Sequence, residues 1–152
     1  MSDQFAQQGR GRIVVGIDGS EESKWALRWA ARMAPALEAD IEVIGAWQYP
    51  LLVGVDAMAV TSVPELMDPE GNAKQLMELT LADVFGDGRP TGLTMRFERG
   101  QPAHVLIEAS RGATMLIVGS RGHGGFTGLL LGSVSSACAE HAKCPVLVVH
   151  GE

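Results

Sequence analysis

The segment from Ala113 to Val134, ATMLIVGSRGHGGFTGLLLGSV, restricts the fold more than any other part of the chain. Its first part, Ala113 to Gly119, is an apolar run without charge and reads as a buried strand. The strand stops at a glycine. Gly122, Gly124, Gly125 and Gly128 follow, and the pair Gly132-Ser133 opens a pattern that can be helical. A glycine-rich loop lets backbone amides approach a ligand closely, and a helix start adds unpaired N–H groups and the positive end of a dipole. Strand, glycine loop and helix in that order are the physical parts of a phosphate site.

The rest of the chain alternates in the same way. Arg12 to Asp18 is a short apolar strand. Ser20 is a good N-cap for a helix from Glu21 to about Leu37, whose residues Trp25, Ala26, Trp29, Ala30, Met33 and Leu37 keep the spacing of one buried stripe. The tryptophans on that stripe read as core or interface residues. Asp40 to Trp47 is a second strand, and small Gly45 and Ala46 near its end leave room for a flat group. Residues 48–68 keep no period and form a long connection of the lid or interaction type. A helix from Pro69 to Phe85 follows, with Leu76, Leu79 and Val84 as inward candidates, and Gly86-Asp87-Gly88 stops it. Leu93 to Gly100 alternates like an edge strand. A helix then runs from Pro102 to Arg111, on which His104 and Glu108 are spaced to pair at the surface. A helix from Gly132 to Ala142 and a strand from Pro145 to His150 complete the chain.

Strands alternating with helices define an α/β fold: a single-domain, open, doubly wound parallel sheet of five strands with helices on both faces. With strand order 3-2-1-4-5 the winding reverses between strands one and four, where such sheets bind ligands. That order brings Asp18 beside Gly119. The organisation expected is a flexible leader over residues 1–11 and one domain over 12–150. With 152 residues, 46% of them hydrophobic and 20% charged, the chain has the composition of a globular domain. A net charge of −6 disfavours nucleic acid and repels free nucleotide, so a phosphate site must win locally through amides, a helix end and a few cations. No apolar run is long enough to span a membrane, which points to a cytoplasmic protein. Cys138 and Cys144 fit neither a CxxC pair nor a zinc pattern and read as reduced thiols. His141 reads as solvent-facing.

The glycine loop is not a Walker A sequence, because no lysine precedes Ser133. It is not a dinucleotide fingerprint either, since the frame from Gly122 puts Thr127 at the third glycine and follows strand four. Hydrolase elbows and zinc-protease motifs are missing from the sequence. The residues match another spacing: Gly119, two residues, Gly122, nine residues, Gly132-Ser133. With the opening VVGIDGSEES and the closing CPVLVVH, this resembles the universal stress protein family in its ATP-binding branch, over Arg12 to His150.

The resemblance implies a Rossmann-like, adenine-nucleotide alpha-hydrolase-like fold and a homodimer through the strand Pro145 to His150. It places Asp18 near the ribose, Gly16 and Ile17 beside the base, and Ala46 in the adenine slot. Gly119 and Gly122 would let the backbone turn around ribose and α-phosphate, and Gly132, Ser133 and Val134 would give amides and a hydroxyl to the outer phosphates. Ser120, Arg121, His123, Gly124 and Gly125 complete the loop. Asp18 and Ser133 also have plain local readings, as a turn cap and a helix N-cap. The function implied is an ATP-binding regulator of stress response, with Mg²⁺ on the phosphates. No residue is assigned a catalytic role, and turnover is at most slow ATP hydrolysis or phosphotransfer. Cyclic AMP and a nucleotide-free interaction module are the alternatives.

Overall fold

The structure is a computed structural model and describes residues 9–49, 68–121 and 131–151. Its elements run β1 (Gly11–Gly16), α1 (Glu21–Met33), β2 (Ala39–Trp47), α2 (Pro69–Phe85), β3 (Thr94–Arg99), α3 (Pro102–Ala109), β4 (Met115–Gly119), α4 (Ser133–His141) and β5 (Val146–Val149). The five strands form one parallel sheet in the order β3-β2-β1-β4-β5. Ile13 faces Met115 and Val15 faces Ile117 across the central pair, so β1 and β4 end side by side. Ile13, Val14, Val15, Leu116 and Ile117 are fully buried, as expected of central strands covered on both faces. Successive residues point to opposite faces. Ile13, Val15 and Ile117 enter a core under α1 and α2, and Val14, Leu116 and Val118 enter one under α3 and α4.

Local chemistry explains the element ends. The Ser20 hydroxyl accepts from the Ser23 N–H at 3.2 Å, the capping bond expected at the start of α1. Asp68 does the same for α2 through the Gly71 N–H at 3.0 Å, and Gly86 at φ 55° ends that helix. α1 stops at Met33, short of Leu37: Ala34 still holds helical dihedrals and donates to Ala30, but Pro35 has no N–H to continue the ladder. α3 stops at Ala109, where the Ser110 hydroxyl donates back to the Ile107 carbonyl at 2.6 Å. β4 begins at Met115: the Ala113 N–H closes a turn onto the Ser110 carbonyl instead. β1 starts at Gly11 and ends at Gly16; the Ile17 N–H still donates to the Ile44 carbonyl at 3.1 Å, and the turn begins at Asp18.

Three side-chain expectations are corrected. Trp29 is 38% exposed on the outer side of α1, with the Arg32 guanidinium 5.0 Å from its ring centre. The buried positions are the smaller Ser23, Ala26, Leu27 and Ala30, which allow the helix to lie close to β4; Trp25 only borders that core. On α2 the buried positions are Met77, Thr80 and Leu81, while Leu76 and Leu79 are exposed and Val84 packs at the core's margin. Glu108 pairs with Arg111 at 3.3 Å in place of His104. Cys138 and Cys144 are free thiols, and His141 is exposed. Burial pushes Cys138 up to about 11 and Cys144 upward, which holds both in the neutral form. No helix among the described residues is long and apolar enough to cross a membrane.

Candidate functional site

Because β1 and β4 end together while their following helices leave to opposite faces of the sheet, a cleft opens beyond Gly16 and Gly119. It encloses about 410 Å³, within the range of small-molecule sites. Among the described residues, Gly16, Ile17, Asp18, Ala46, Gly119, Arg121, Gly132, Ser133 and Val134 line it, so sequence positions more than a hundred residues apart converge on one cavity. Gly122, His123, Gly124 and Gly125 lie outside the described residues. Ser120 is buried behind the wall and has a different task.

That task is to hold the start of α4. The Ser120 N–H donates to Val149 at 2.7 Å, extending the β4–β5 ladder. Its carbonyl accepts from the Gly132 N–H at 2.7 Å and from the Ser135 hydroxyl at 2.8 Å. Ser135 is buried, and its hydroxyl also lies 3.1 Å from the Gly132 carbonyl. One carbonyl at the end of β4 therefore fixes the first turn of α4 against the sheet. The N-cap is Gly132, with no side-chain cap; Ser133 is the first helical residue and does not act as the cap. The first intrahelical bond runs from the Ser136 N–H to Gly132, and among the described residues the amides of Ser133, Val134 and Ser135 have no acceptor. No acidic side chain occupies the first turn.

The second helix start at the cavity behaves in the opposite way. Ser20 and Ser23 also line the cleft, but Ser20 caps α1 with its own hydroxyl, and Glu21 and Glu22 fill the first turn. The Ser23 hydroxyl is spent on the Ser20 carbonyl at 2.8 Å. A capped, acidic start repels an anion, whereas an uncapped start without acids attracts one. Of these two starts, that of α4 is the one at which an anion would be stabilised. Asp18 turns the chain between β1 and α1 by accepting from the Ser20 N–H at 2.9 Å, so the turn-capping reading holds, and the residue lines the cavity as well.

Small residues at the strand ends prove to serve packing before ligand. A Cβ at Gly119 would come within 2.6 Å of the Glu22 Cβ and 2.8 Å of its carbonyl carbon, so the glycine lets α1 cross β4. At Gly45 the space is filled by the Met77 Cε, which a Cβ would approach to 2.9 Å. Ala46 alone of that pair has its side chain beside open space. The sequence reading missed Gly19, Ser20, Ser23, Ile44, Ala73, Leu76, Met77, Pro102, Leu106, Val118 and Ser135 as lining residues. Gly19 carried a usable sign, since it follows the strand-ending Asp18 and adopts φ 83°. The helix-borne residues carried none. Among the described residues no cluster of three His, Cys, Asp or Glu side chains could hold a metal ion.

A doubly wound parallel sheet with a cleft beyond its strand ends at the switch point is an architecture that binds small ligands there. The chain belongs to the universal stress protein family, whose model matches residues 9–150. It is similar to a universal stress protein of Mycolicibacterium smegmatis, with 35% identity over 148 residues that cover 97% of this chain and 48% of that one. A universal stress protein of Mycobacterium tuberculosis is 32% identical over 142 residues, covering 90% and 44%. The chain thus spans about half the length of the curated relatives it matches. Among solved structures, the UspA universal stress protein of Lactobacillus plantarum superposes with a TM-score of 0.74 at 20% identity, covering 95% of this chain and 100% of the other. A universal stress protein in complex with cAMP matches with a TM-score of 0.58 at 27% identity over 94% and 98% of the two chains.

Proposed function

We propose that this chain is a cytoplasmic regulator of stress response that holds an adenine nucleotide, ATP with Mg²⁺ on its phosphates, in the cleft between β1 and β4. The observation that carries the reading is the start of α4: three backbone amides without an acceptor among the described residues, no acidic neighbour in the first turn, and a position fixed by Ser120 beside a cavity that is otherwise mostly apolar. An anion with an apolar ring attached satisfies both ends of such a cavity. Base and ribose lie along Gly16, Ile17, Asp18 and Ala46, and the phosphates reach Gly132, Ser133 and Val134. Arg121 is the one cation among the described lining residues. The relative solved with cAMP supports the adenine nucleotide class.

The chain acts as a homodimer joined along Pro145 to His150. Of the two sheet edges, β3 carries Arg96, Glu98 and Arg99, which protect it, whereas β5 is VLVV, pairs with β4 only, and is half-buried. Sedimentation equilibrium tests this, with twice the chain mass expected and the single-chain mass refuting it.

Isothermal titration of protein stripped of co-purified nucleotide, against ATP, ADP, AMP and cAMP, tests the site. ATP is expected to bind at one per chain and more tightly than AMP. No binding by any of the four overturns the proposal, and tighter binding of cAMP than of ATP moves the ligand to the cyclic nucleotide. Phosphate release above that of an Asp18→Ala, Ser133→Ala double variant would make the protein a slow ATPase.

A further inference from the structure

Strand order separates the two ends of the cleft. α4 follows β4 on one side of β1, and α2 follows β2 on the other. With the anion assigned to α4, the opposite wall is built by Ala73, Leu76 and Met77 of α2. Met77 is 1% exposed and committed to Gly45 and the core. Ala73 has a single methyl to offer. Leu76 differs from both: it remains 43% exposed although it lines a concave site. Of the other large apolar lining residues, Ile44, Leu106 and Val118 are buried, and Ile17 and Val134 are half-buried.

The position of Leu76 is specific. It lies against the β1–α1 turn, where a Cβ on Gly19 would come within 2.7 Å of its Cδ1 and 3.2 Å of its Cδ2. Gly19 holds φ 83°, which leaves the bare backbone of the turn facing the leucine. Leu76 therefore stands at the rim against the β1–α1 turn, and among the described residues part of its surface is left uncovered. A flat apolar group in the cleft would cover that surface and release the water on it.

We propose that Leu76 is the positioning residue for the nucleoside part of the ligand: it covers the base and ribose from α2, while the start of α4 reads the phosphates. This rests on the nucleotide reading above. It divides recognition into two independent parts, an apolar one common to all nucleotides of one base and an anionic one that grows with phosphate number.

The test compares Leu76→Ala, Leu76→Met and the unmodified chain by calorimetric titration with ATP and AMP, with melting of the ligand-free proteins alongside. Leu76→Ala is expected to weaken ATP and AMP by the same factor, roughly tenfold, from the lost apolar contact. The ATP-to-AMP ratio stays unchanged, and Leu76→Met restores both affinities to within about threefold because it refills the volume. No loss in Leu76→Ala, a loss confined to ATP, or no recovery in Leu76→Met overturns the inference while leaving the nucleotide reading intact. Failure of the unmodified chain to bind either nucleotide overturns both.

Discussion

Ser133→Pro isolates the phosphate-binding role proposed for α4 without disturbing the fold. Ser133 is the first residue of the helix, where proline is well accommodated because that N–H has no intrahelical acceptor. The residue before a proline must be extended, and Gly132 already holds φ −72° and ψ 171°. The first helical bond uses the Ser136 N–H, and the staple to Ser120 uses Gly132 and Ser135, so none of these is touched. Ligand-free stability should therefore stay within about 0.5 kcal/mol or rise slightly through the stiffer unfolded chain. The amide removed is one that the proposed binding mode gives to the outer phosphates, and a hydrogen bond to a charged group contributes about 1.5–3 kcal/mol. ATP affinity should fall by roughly tenfold to a hundredfold, with AMP little changed. Ser133→Ala, which keeps the amide and deletes the hydroxyl, separates the two contributions. Calorimetric titration and urea unfolding give the readouts. Unchanged ATP affinity in a Ser133→Pro protein of normal stability would refute the assignment of the phosphates to α4.

Gly119→Ala forces a Cβ onto the Glu22 backbone and should cost about 1–3 kcal/mol in urea unfolding without ligand, whereas Gly16→Ala meets only the movable Leu106 methyl ends and should cost less; equal stability of Gly119→Ala and the unmodified chain contradicts the packing role. Cys138, held at about 11 against an ordinary 9.0, keeps its proton in the folded chain after the unfolded chain has lost it. Stability should fall between pH 9 and pH 11, by up to about 2–3 kcal/mol, and Cys138→Ala should remove that part of the slope in urea unfolding at pH 8 and pH 10. Ser20→Ala deletes the α1 cap and should lower stability by about 1 kcal/mol, measured the same way; a change under about 0.3 kcal/mol would show that the Asp18 turn suffices to start the helix.

Much of this architecture was legible because its determinants are local. Ser20, Pro69 and Gly86 mark helix ends by chemistry within one turn, and the apolar runs of β1, β4 and β5 announce buried strands without reference to the rest of the chain. The alternation of elements gave the parallel doubly wound sheet but not its order; the order expected, 3-2-1-4-5, is the one found, and it brings Asp18 to Gly119. What failed was reading hydrophobicity as direction. Trp29 is apolar yet points outward, because α1 lies close to β4 only through Ala26, Ala30 and the bare Gly119, and a tryptophan ring has no room in that contact. Leu76 is another such case: the pattern put it in the core, and the fold puts it at the cavity rim. The end of α1 was readable at Pro35, whose missing N–H interrupts the helical ladder in spite of the apolar spacing through Leu37.

The two helix starts at the cleft show why a glycine motif reads as a binding site here and a serine motif does not. Both α1 and α4 begin beside the same cavity, and both have serine in the first turn. At α1, Ser20 sits at the cap and spends its hydroxyl on the helix, and Glu21 and Glu22 cancel the dipole. At α4 the cap is glycine, which has no side chain to satisfy the helix, so among the described residues the amides stay open, and the serine that could compete, Ser135, is turned inward to the Ser120 carbonyl. In a chain of net charge −6, an anion would be favoured at α4 over α1, the start that is capped and acidic. The glycine at 132 matters because of what it withholds from the helix, and a Gly132→Ser variant should test this: a cap that bonds its own helix should strengthen the fold by a few tenths of a kcal/mol while competing with ATP for the same amides. A Gly132→Ser protein that binds ATP as tightly as the unmodified chain would show that the open amides are not where the ligand is held.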